Sequence, residues 1–310
     1  MRPTPKHYLQ LMRWPNLLLV AATQFVVYKF VFATAFRQID LSPALSPLQW
    51  LALSLATLCI TASGYIINDL YDEKTDRINR PEKILIGQVI SEKTARKIYA
   101  ALLLAGSLPA LWLALEIGPF YYILLYPLGA ASLWLYSSHL KRLGWPGNLL
   151  VSLFCAGVTA IVWLAEQSSW LEFSRQQSEA AHALRNILLL YLLFAFISNL
   201  YREWLKDLQD YEGDRQSRRL TLPVRLGQNK ARLFTFGIGL LFLLSVLAFG
   251  LQLYLQHHLL AMAFLSSSIV LPLAYSLLTL FRSHKKKHYK RQAQIAKFIM
   301  LAGVLLLVLL

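Results

Sequence analysis

The chain has 310 residues, of which 56% are apolar and 15% charged, and a mean hydropathy of +0.46. Soluble globular chains are about 45–50% apolar and about 25% charged, so this composition points to a bilayer and excludes intrinsic disorder. Its only cysteines, Cys59 and Cys155, lie inside long apolar runs, which excludes a disulfide scaffold or a zinc site.

A hydrocarbon core of about 30 Å takes about 20 apolar residues per helix, with roughly 17–25 tolerated. Taken in chain order, nine spans are predicted, at approximately 16–36, 48–67, 98–115, 120–138, 148–165, 184–201, 233–251, 259–281 and 295–310. The fold class is therefore all-α, a polytopic membrane bundle. The first span follows Arg2, Lys6 and Arg13 and is longer than the 7–15 apolar residues of a signal peptide, so it reads as a retained helix. Lys29 inside it either lines a cavity or snorkels to an interface. The segment 166–182 reads as an extracytoplasmic loop without evident chemistry. His284 to His288, with three lysines between the histidines, reads as a basic loop facing headgroups. The last span is short, about sixteen residues.

With the amino terminus in the cytoplasm, the connections on that side hold 27 Lys and Arg and the opposite side holds 3. Positive residues are retained on the cytoplasmic side, so the net charge of +15 is an orientation signal, with some attraction to anionic headgroups. Nucleic-acid binding is not expected. The protein is expected to be integral and multi-pass, in a bacterial-type plasma membrane.

Acidic residues are scarce and their placement is informative. Six of the seven aspartates fall in two clusters, each at the cytoplasmic end of a predicted helix. Asp69-Leu70-Tyr71-Asp72-Glu73-Lys74-Thr75-Asp76-Arg77 aligns with Asp207-Leu208-Gln209-Asp210-Tyr211-Glu212-Gly213-Asp214-Arg215. The shared D-L-x-D-x-x-x-D-R pattern suggests one domain, 1–310, built from two pseudo-equivalent halves, roughly 1–145 and 146–310. Steps of three and four residues place Asp69, Asp72 and Asp76 on one helical face and Asp207, Asp210 and Asp214 on another. Asn68 and Glu203 extend these stripes by a turn. Like charges so arranged repel, and a divalent cation relieves the repulsion. Magnesium takes carboxylate oxygens together with substrate phosphates, so two facing stripes would hold magnesium bridged to a diphosphate. Arg77, Arg80 and Lys83 after the first stripe, and Lys206, Arg215, Arg218 and Arg219 around the second, offer charge to phosphoryl oxygens. Pro81 and Pro223 end the helical pattern, so each stripe is followed by a loop that would fold over the cavity.

The run Asn68-Asp69-x-x-Asp72-x-x-x-Asp76 with Arg77-Ile78-Asn79-Arg80-Pro81 resembles the first signature of the UbiA superfamily of intramembrane prenyltransferases. The second signature is resembled by Tyr201 to Asp214, closing with Thr221-Leu222-Pro223-Val224 and Gly227. Tyr136 to Arg142 with Gly147-Asn148 resembles the family's connection between its fourth and fifth helices. The resemblance implies nine helices around a central cavity with the aspartates at its cytoplasmic mouth, and magnesium-dependent transfer of an isoprenoid from a diphosphate donor to a small acceptor. It implies that Asn68, Asp72, Asp76, Asp210 and Asp214 bind the magnesium–diphosphate, that Asp69 and Asp207 support them, and that Lys141 and Tyr136 sit near the diphosphate and the reacting carbon. Asp207 is a candidate base, and Phe25, Phe194 and Phe196 are candidate wall residues.

Arg13-Trp14-Pro15-Asn16 and the Lys206-Asp207-x-x-Asp210-x-x-Gly213-Asp214 form resemble members whose acceptor is a prenylated glycerol phosphate, which adds Arg13 and Asn16 to the expected binding residues. The alternative acceptor is a hydroxybenzoate-type aromatic of quinone biosynthesis. A donor-only terpene cyclase and a cation-binding carrier are the remaining readings; the carrier is disfavoured because both clusters lie on one membrane side. No obligate protein partner is expected.

Overall fold

The computed structural model describes residues 3–79, 81–283 and 285–310, and within them all side chains but those of Lys74 and Lys83. The helices are α1 (Pro5–Leu11), α2 (Trp14–Arg37), α3 (Pro47–Asn79), α4 (Glu92–Ile117), α5 (Leu125–Ser138) and α6 (Trp145–Ala165). They continue as α7 (Gln167–Gln176), α8 (Ser178–Gln209), α9 (Tyr211–Gln216), α10 (Leu222–Leu226), α11 (Gln228–Leu255), α12 (Leu259–Leu280) and α13 (Lys286–Leu306). Among the described residues, eight are long and apolar enough to cross a bilayer, namely α2, α3, α4, α6, α8, α11, α12 and α13 with its final turn. This is the all-helical membrane bundle that the long apolar runs predict.

The expected fourth span is different in kind. Residues Phe120–Leu124 form a 3-10 turn, and the α-ladder begins only at Leu125, with Pro127 in its first turn where no amide donor is needed. The resulting 14-residue helix is about 21 Å long. The supposed loop 166–182 is also corrected. It holds α7, which buries Ser169 and Phe173 and packs Trp170 against Phe32 and Trp163. In α12 a π-helical stretch, Ser266–Val270, precedes Pro272, whose missing N–H and ring displace the normal ladder. Lys29 lies exposed on α2, outside the cavity described below.

The 32-residue α8 is the central element and packs against α6, α11 and α13, while α3 packs against α4 and α5. Several polar groups inside the bundle are paired: the Gln24 amide nitrogen donates to Thr57 Oγ1 at 2.9 Å, and the Tyr201 and Ser276 hydroxyls share a 2.7 Å hydrogen bond, whereas the Gln24 side-chain oxygen and the Thr159 hydroxyl are buried without a partner. Such pairing offsets the cost of burying polar groups away from water.

At the end of the bundle away from the aspartates, Glu166 is fully buried and accepts hydrogen bonds from the Ala44 and Leu45 amides at 2.7 and 3.2 Å. Burial pushes its pKa up, against the two amides that favour its charge. Ser169 Oγ donates to Ser42 O at 2.9 Å, so the α2–α3 connection is fastened to the α6–α7 corner. Leaving buried donors unpaired costs about 1–3 kcal/mol. Glu166→Ala is therefore expected to lower stability by about that amount, measured by thermal denaturation in detergent, with ligand binding at the opposite end unchanged.

Candidate active site

Helix α3 continues three turns past its apolar part, which sets Asn68, Asp72 and Asp76 on one face and Asp69 to its side. Asp72 is buried and is ion-paired with both Lys141 and Arg219. Asn68 Nδ2 donates to Asp72 Oδ2 at 2.9 Å, and Lys141 Nζ donates to Asn68 Oδ1 at 2.8 Å. Asp69 pairs instead with Arg13, whose guanidinium lies 4.8 Å from the centre of the Tyr65 ring. Arg13 adopts φ +53° to reach it, a left-handed conformation that non-glycine residues hold only where the surroundings impose it.

Lys141 arrives on a 3-10 turn, Leu140–Leu143, between α5 and α6. That turn ends at Gly144, with φ +79°, where a Cβ would lie 2.4 Å from Leu220 O. The tight approach lets the Leu220 amide donate to Arg142 O at 2.8 Å. It fixes the loop after α9 over the mouth and delivers Arg219 next door. The preceding Arg218 also has a positive φ, +54°.

The second stripe is bent. Helix α8 ends at Gln209, Asp210 occupies the bend, and Asp214 lies on α9, so the expected single helical face is divided at Asp210. Asp207 accepts a 2.7 Å hydrogen bond from Asn148 Nδ2, and Gln209 Nε2 lies 3.3 Å from Asp210 Oδ1. Asp214 is buried, 3.9 Å from Arg219 Nη1. Arg219 thus joins Asp72 of the first motif to Asp214 of the second. Burial acts to lower its pKa, but the charges of Asp72 and Asp214 overcome that and raise it. For Asp214, burial and the neighbouring Asp210 outweigh Arg219 and push the pKa up to about 6. A second tie runs from the Gly213 amide to Asn79 Oδ1 at 3.2 Å, and Lys286 Nζ donates to Asn79 O at 2.6 Å.

Behind this mouth lies a cavity of about 520 Å³. Its ionic end is lined by Arg13, Lys141, Arg202, Glu203, Lys206 and Lys297, with Asn16, Asn68 and Tyr136 among them. Leu53, Ala56, Ile60, Leu133, Phe154 and Phe194 line the apolar part. Lys141 Nζ sits 5.9 Å from the centre of the Tyr136 ring.

Several sequence expectations are corrected. Arg77 pairs with Glu73 at 2.7 Å on an exposed face and does not line the cavity, because the i,i+4 spacing gives it a nearer partner. Asp207 accepts from Asn148 and lies outside the cavity lining, as Asp72, Asp76, Asp210 and Asp214 do; Glu203, held by Lys206 and Arg202 at 2.8 and 3.1 Å, is a lining carboxylate that the aspartate spacing does not single out. Phe25 packs on Phe30 and Trp50 at an exposed position, and neither it nor Phe196 is a wall residue. Arg80 lies outside the described residues. Among the described residues, no three acidic side chains stand close enough to share one ion, because Lys141 and Arg219 stand between the carboxylates. Even so, the hard oxygen donors of Asn68, Asp72, Asp76, Asp210 and Asp214 are of the kind magnesium takes, and they would hold it together with substrate phosphates. Sequence reasoning passed over Tyr65, Asn199 and Lys297 as lining residues; a lysine inside an apolar run was the available signal for the last.

The fold and this mouth define an integral multi-pass membrane protein whose cavity joins an apolar wall to an ionic gate. A model of the UbiA prenyltransferase family matches residues 30–302, and the chain belongs to that family. It is similar to the digeranylgeranylglyceryl phosphate synthase of Ignicoccus hospitalis, 34% identical over 57% of this chain and 54% of that protein. The match therefore spans little more than half of that relative's length. The synthase of the same name from Sulfolobus acidocaldarius is 32% identical over 72% of this chain and 70% of its own. Among solved structures, one described as giving insights into digeranylgeranylglyceryl phosphate synthase in membranes superposes with TM-score 0.64 at 22% identity, over 98% of this chain and 99% of that one. A UbiA homolog from Archaeoglobus fulgidus bound to GPP and Mg2+ superposes with TM-score 0.54 at 15% identity, over 97% and 99%. These two likenesses concern the fold.

A methyl on residue 213 would lie 2.3 Å from Asn79 Oδ1. Gly213→Ala is expected to separate the motifs and cut turnover about tenfold or more, equivalent to about 1.4 kcal/mol in barrier. Helical circular dichroism should be unchanged, and removing the obstructing side chain with Asn79→Ala should make the pair of substitutions less than additive.

Proposed function

We propose that the protein transfers an isoprenoid, geranylgeranyl in the favoured reading, from its diphosphate to a prenylated glycerol phosphate in membrane lipid synthesis. The observation that supports this most is the Arg219 bridge, which brings the two aspartate motifs to one mouth above an apolar cavity. The names of the relatives favour the glycerol phosphate acceptor over a hydroxybenzoate. A cation carrier would place its acidic groups along a path and not in one gate. The amino terminus and both motifs face the cytoplasm, on the asymmetry of 27 against 3 positive residues. In this reading the membrane is a plasma membrane, and the bacterial type expected from the sequence has no support from the relatives named above, which are archaeal.

In this reading Asp72, Asp76, Asp210 and Asp214, with Asn68, hold the magnesium–diphosphate. Bound magnesium would supply charge neutralisation for the departing diphosphate. Lys141 and Arg219, which neutralise Asp72, are placed to reach diphosphate oxygens as well. Asp69 holds Arg13 at the cavity edge, and Lys206 holds Glu203. The allylic fragment gains positive character, which the Tyr136 ring face stabilises while the apolar wall excludes water. The acceptor hydroxyl attacks the carbon as the bond to the diphosphate breaks, and its proton passes to the departing diphosphate, while Glu203 holds Lys206 and Arg202 at the cavity. The two halves of the chain, roughly 1–145 and 146–310, each contribute one motif, in keeping with an internal duplication.

Asp72→Ala or Asp210→Ala is expected to abolish turnover, a loss beyond about 10²-fold, while membrane insertion survives; transfer is expected to require added magnesium and to vanish in chelator. Both are read by product mass after incubating solubilised protein with geranylgeranyl diphosphate and an acceptor panel. With its pKa raised to about 6, Asp214 is protonated below that pH and ionises as pH rises through it, giving up the stability of the protonated form. Magnesium-dependent donor binding should weaken as pH falls through about 6, and Asp214→Asn should flatten that profile.

A further inference from the structure

Among the described residues, Lys297 is a lining cation whose place the donor site does not explain. It lies on α13 between Ala296 and Phe298, and its ammonium reaches the cavity. An ionised lysine inside an apolar helix faces the bundle interior or a polar cavity and pairs with another ionisable group or with a carbonyl. Among the described residues Lys297 has no carboxylate at ion-pair distance; its amine donates to the amide oxygen of Asn16 at 2.8 Å. The nearby Arg202 adds repulsion.

The other cations lining the mouth are accounted for. Arg13 faces Asp69, Lys141 faces Asp72, and Lys206 faces Glu203, which Arg202 shares. Arg202 offers further donors, and its Nε is buried without a hydrogen-bond partner. The surplus positive charge is thus concentrated where α2, α8 and α13 converge, on elements distinct from the α3 and α9 carboxylates. A neutral ligand would leave that surplus uncompensated. A phosphate monoester brings up to two charges and acceptor oxygens for both ammonium and guanidinium.

We infer that Lys297, Asn16 and Arg202 form a second anion subsite that receives the phosphate headgroup of the acceptor and sets its orientation toward the donor carbon. This rests on the transferase reading above. Asn16 holds the ammonium in position by its side-chain oxygen, and Arg202, steadied by Glu203, provides the second arm of the grip. The subsite makes Lys297 a specificity-determining residue, since an aromatic acceptor has no phosphate to place there.

The test uses the full chain in detergent, with binding of a prenylated glycerol phosphate, of its dephosphorylated alcohol, of hydroxybenzoate and of geranylgeranyl diphosphate measured for wild type, Lys297→Met and Lys297→Arg. Lys297→Met is expected to weaken the phosphate-bearing lipid about tenfold or more, the scale of one charge-assisted contact. The diphosphate and the alcohol should stay within about twofold, and Lys297→Arg should recover most of the phosphate affinity. Equal weakening of donor and acceptor, no change in either, or a selective loss of hydroxybenzoate would each overturn the inference. So would a wild type that does not bind the phosphate-bearing lipid. A wild type that binds it through Lys297 yet forms no product from the donor refutes the transferase reading and leaves the subsite standing.

Discussion

Crowding carboxylates at one end of a lipid-embedded bundle is the constraint around which the rest of this structure is organised. Asp72 and Asp214 are both buried, in surroundings where unpaired charges are costly. The protein answers with cations from distant parts of the chain: Arg13 before the first span, Lys141 from the α5–α6 turn, and Arg219 from the loop after α9. Each answer dictates local backbone. Arg13 and Arg218 take left-handed conformations, and Gly144 permits the contact that seats Arg219's loop. Strain gathered this way around one site is a cost that only the surrounding contacts sustain.

Much of this was legible in the sequence because membrane physics restricts the answer. Long apolar runs can only be helices in lipid, so the spans could be counted without knowing their packing, and the i, i+3, i+4 spacing put the acids on helix faces. The elements that escaped have identifiable causes. Leu125–Ser138 falls short because prolines govern where its ladder begins, and α7 was hidden because a polar ten-residue amphipathic helix resembles a loop in composition. The bend at Asp210 is a tertiary effect: nothing in the spacing distinguishes a straight stripe from one folded over Gly213 to meet Asn79.

Side-chain partners were harder still. A run of acids beside a run of bases says that charges will meet and not which ones. Arg77 closes on Glu73 four residues away, whereas Arg219 crosses 147 positions of sequence to find Asp72. Asp207 and Glu203 are one helical turn apart, yet one faces Asn148 and the other the cavity. The difference is set by depth along α8, since Asp207 lies one turn nearer its end, beside Asn148 of α6. No pattern on a single helix contains that information.

The buried Glu166 at the far end gives the bundle a mechanical asymmetry. Its bonds to the Ala44 and Leu45 amides, with Ser169 holding Ser42, are hydrogen bonds between buried and half-buried groups of the protein itself. The opposite rim is joined by ion pairs. Ion pairs are screened by salt and buried hydrogen bonds are not, so rising ionic strength loosens the lip of this vessel before its base.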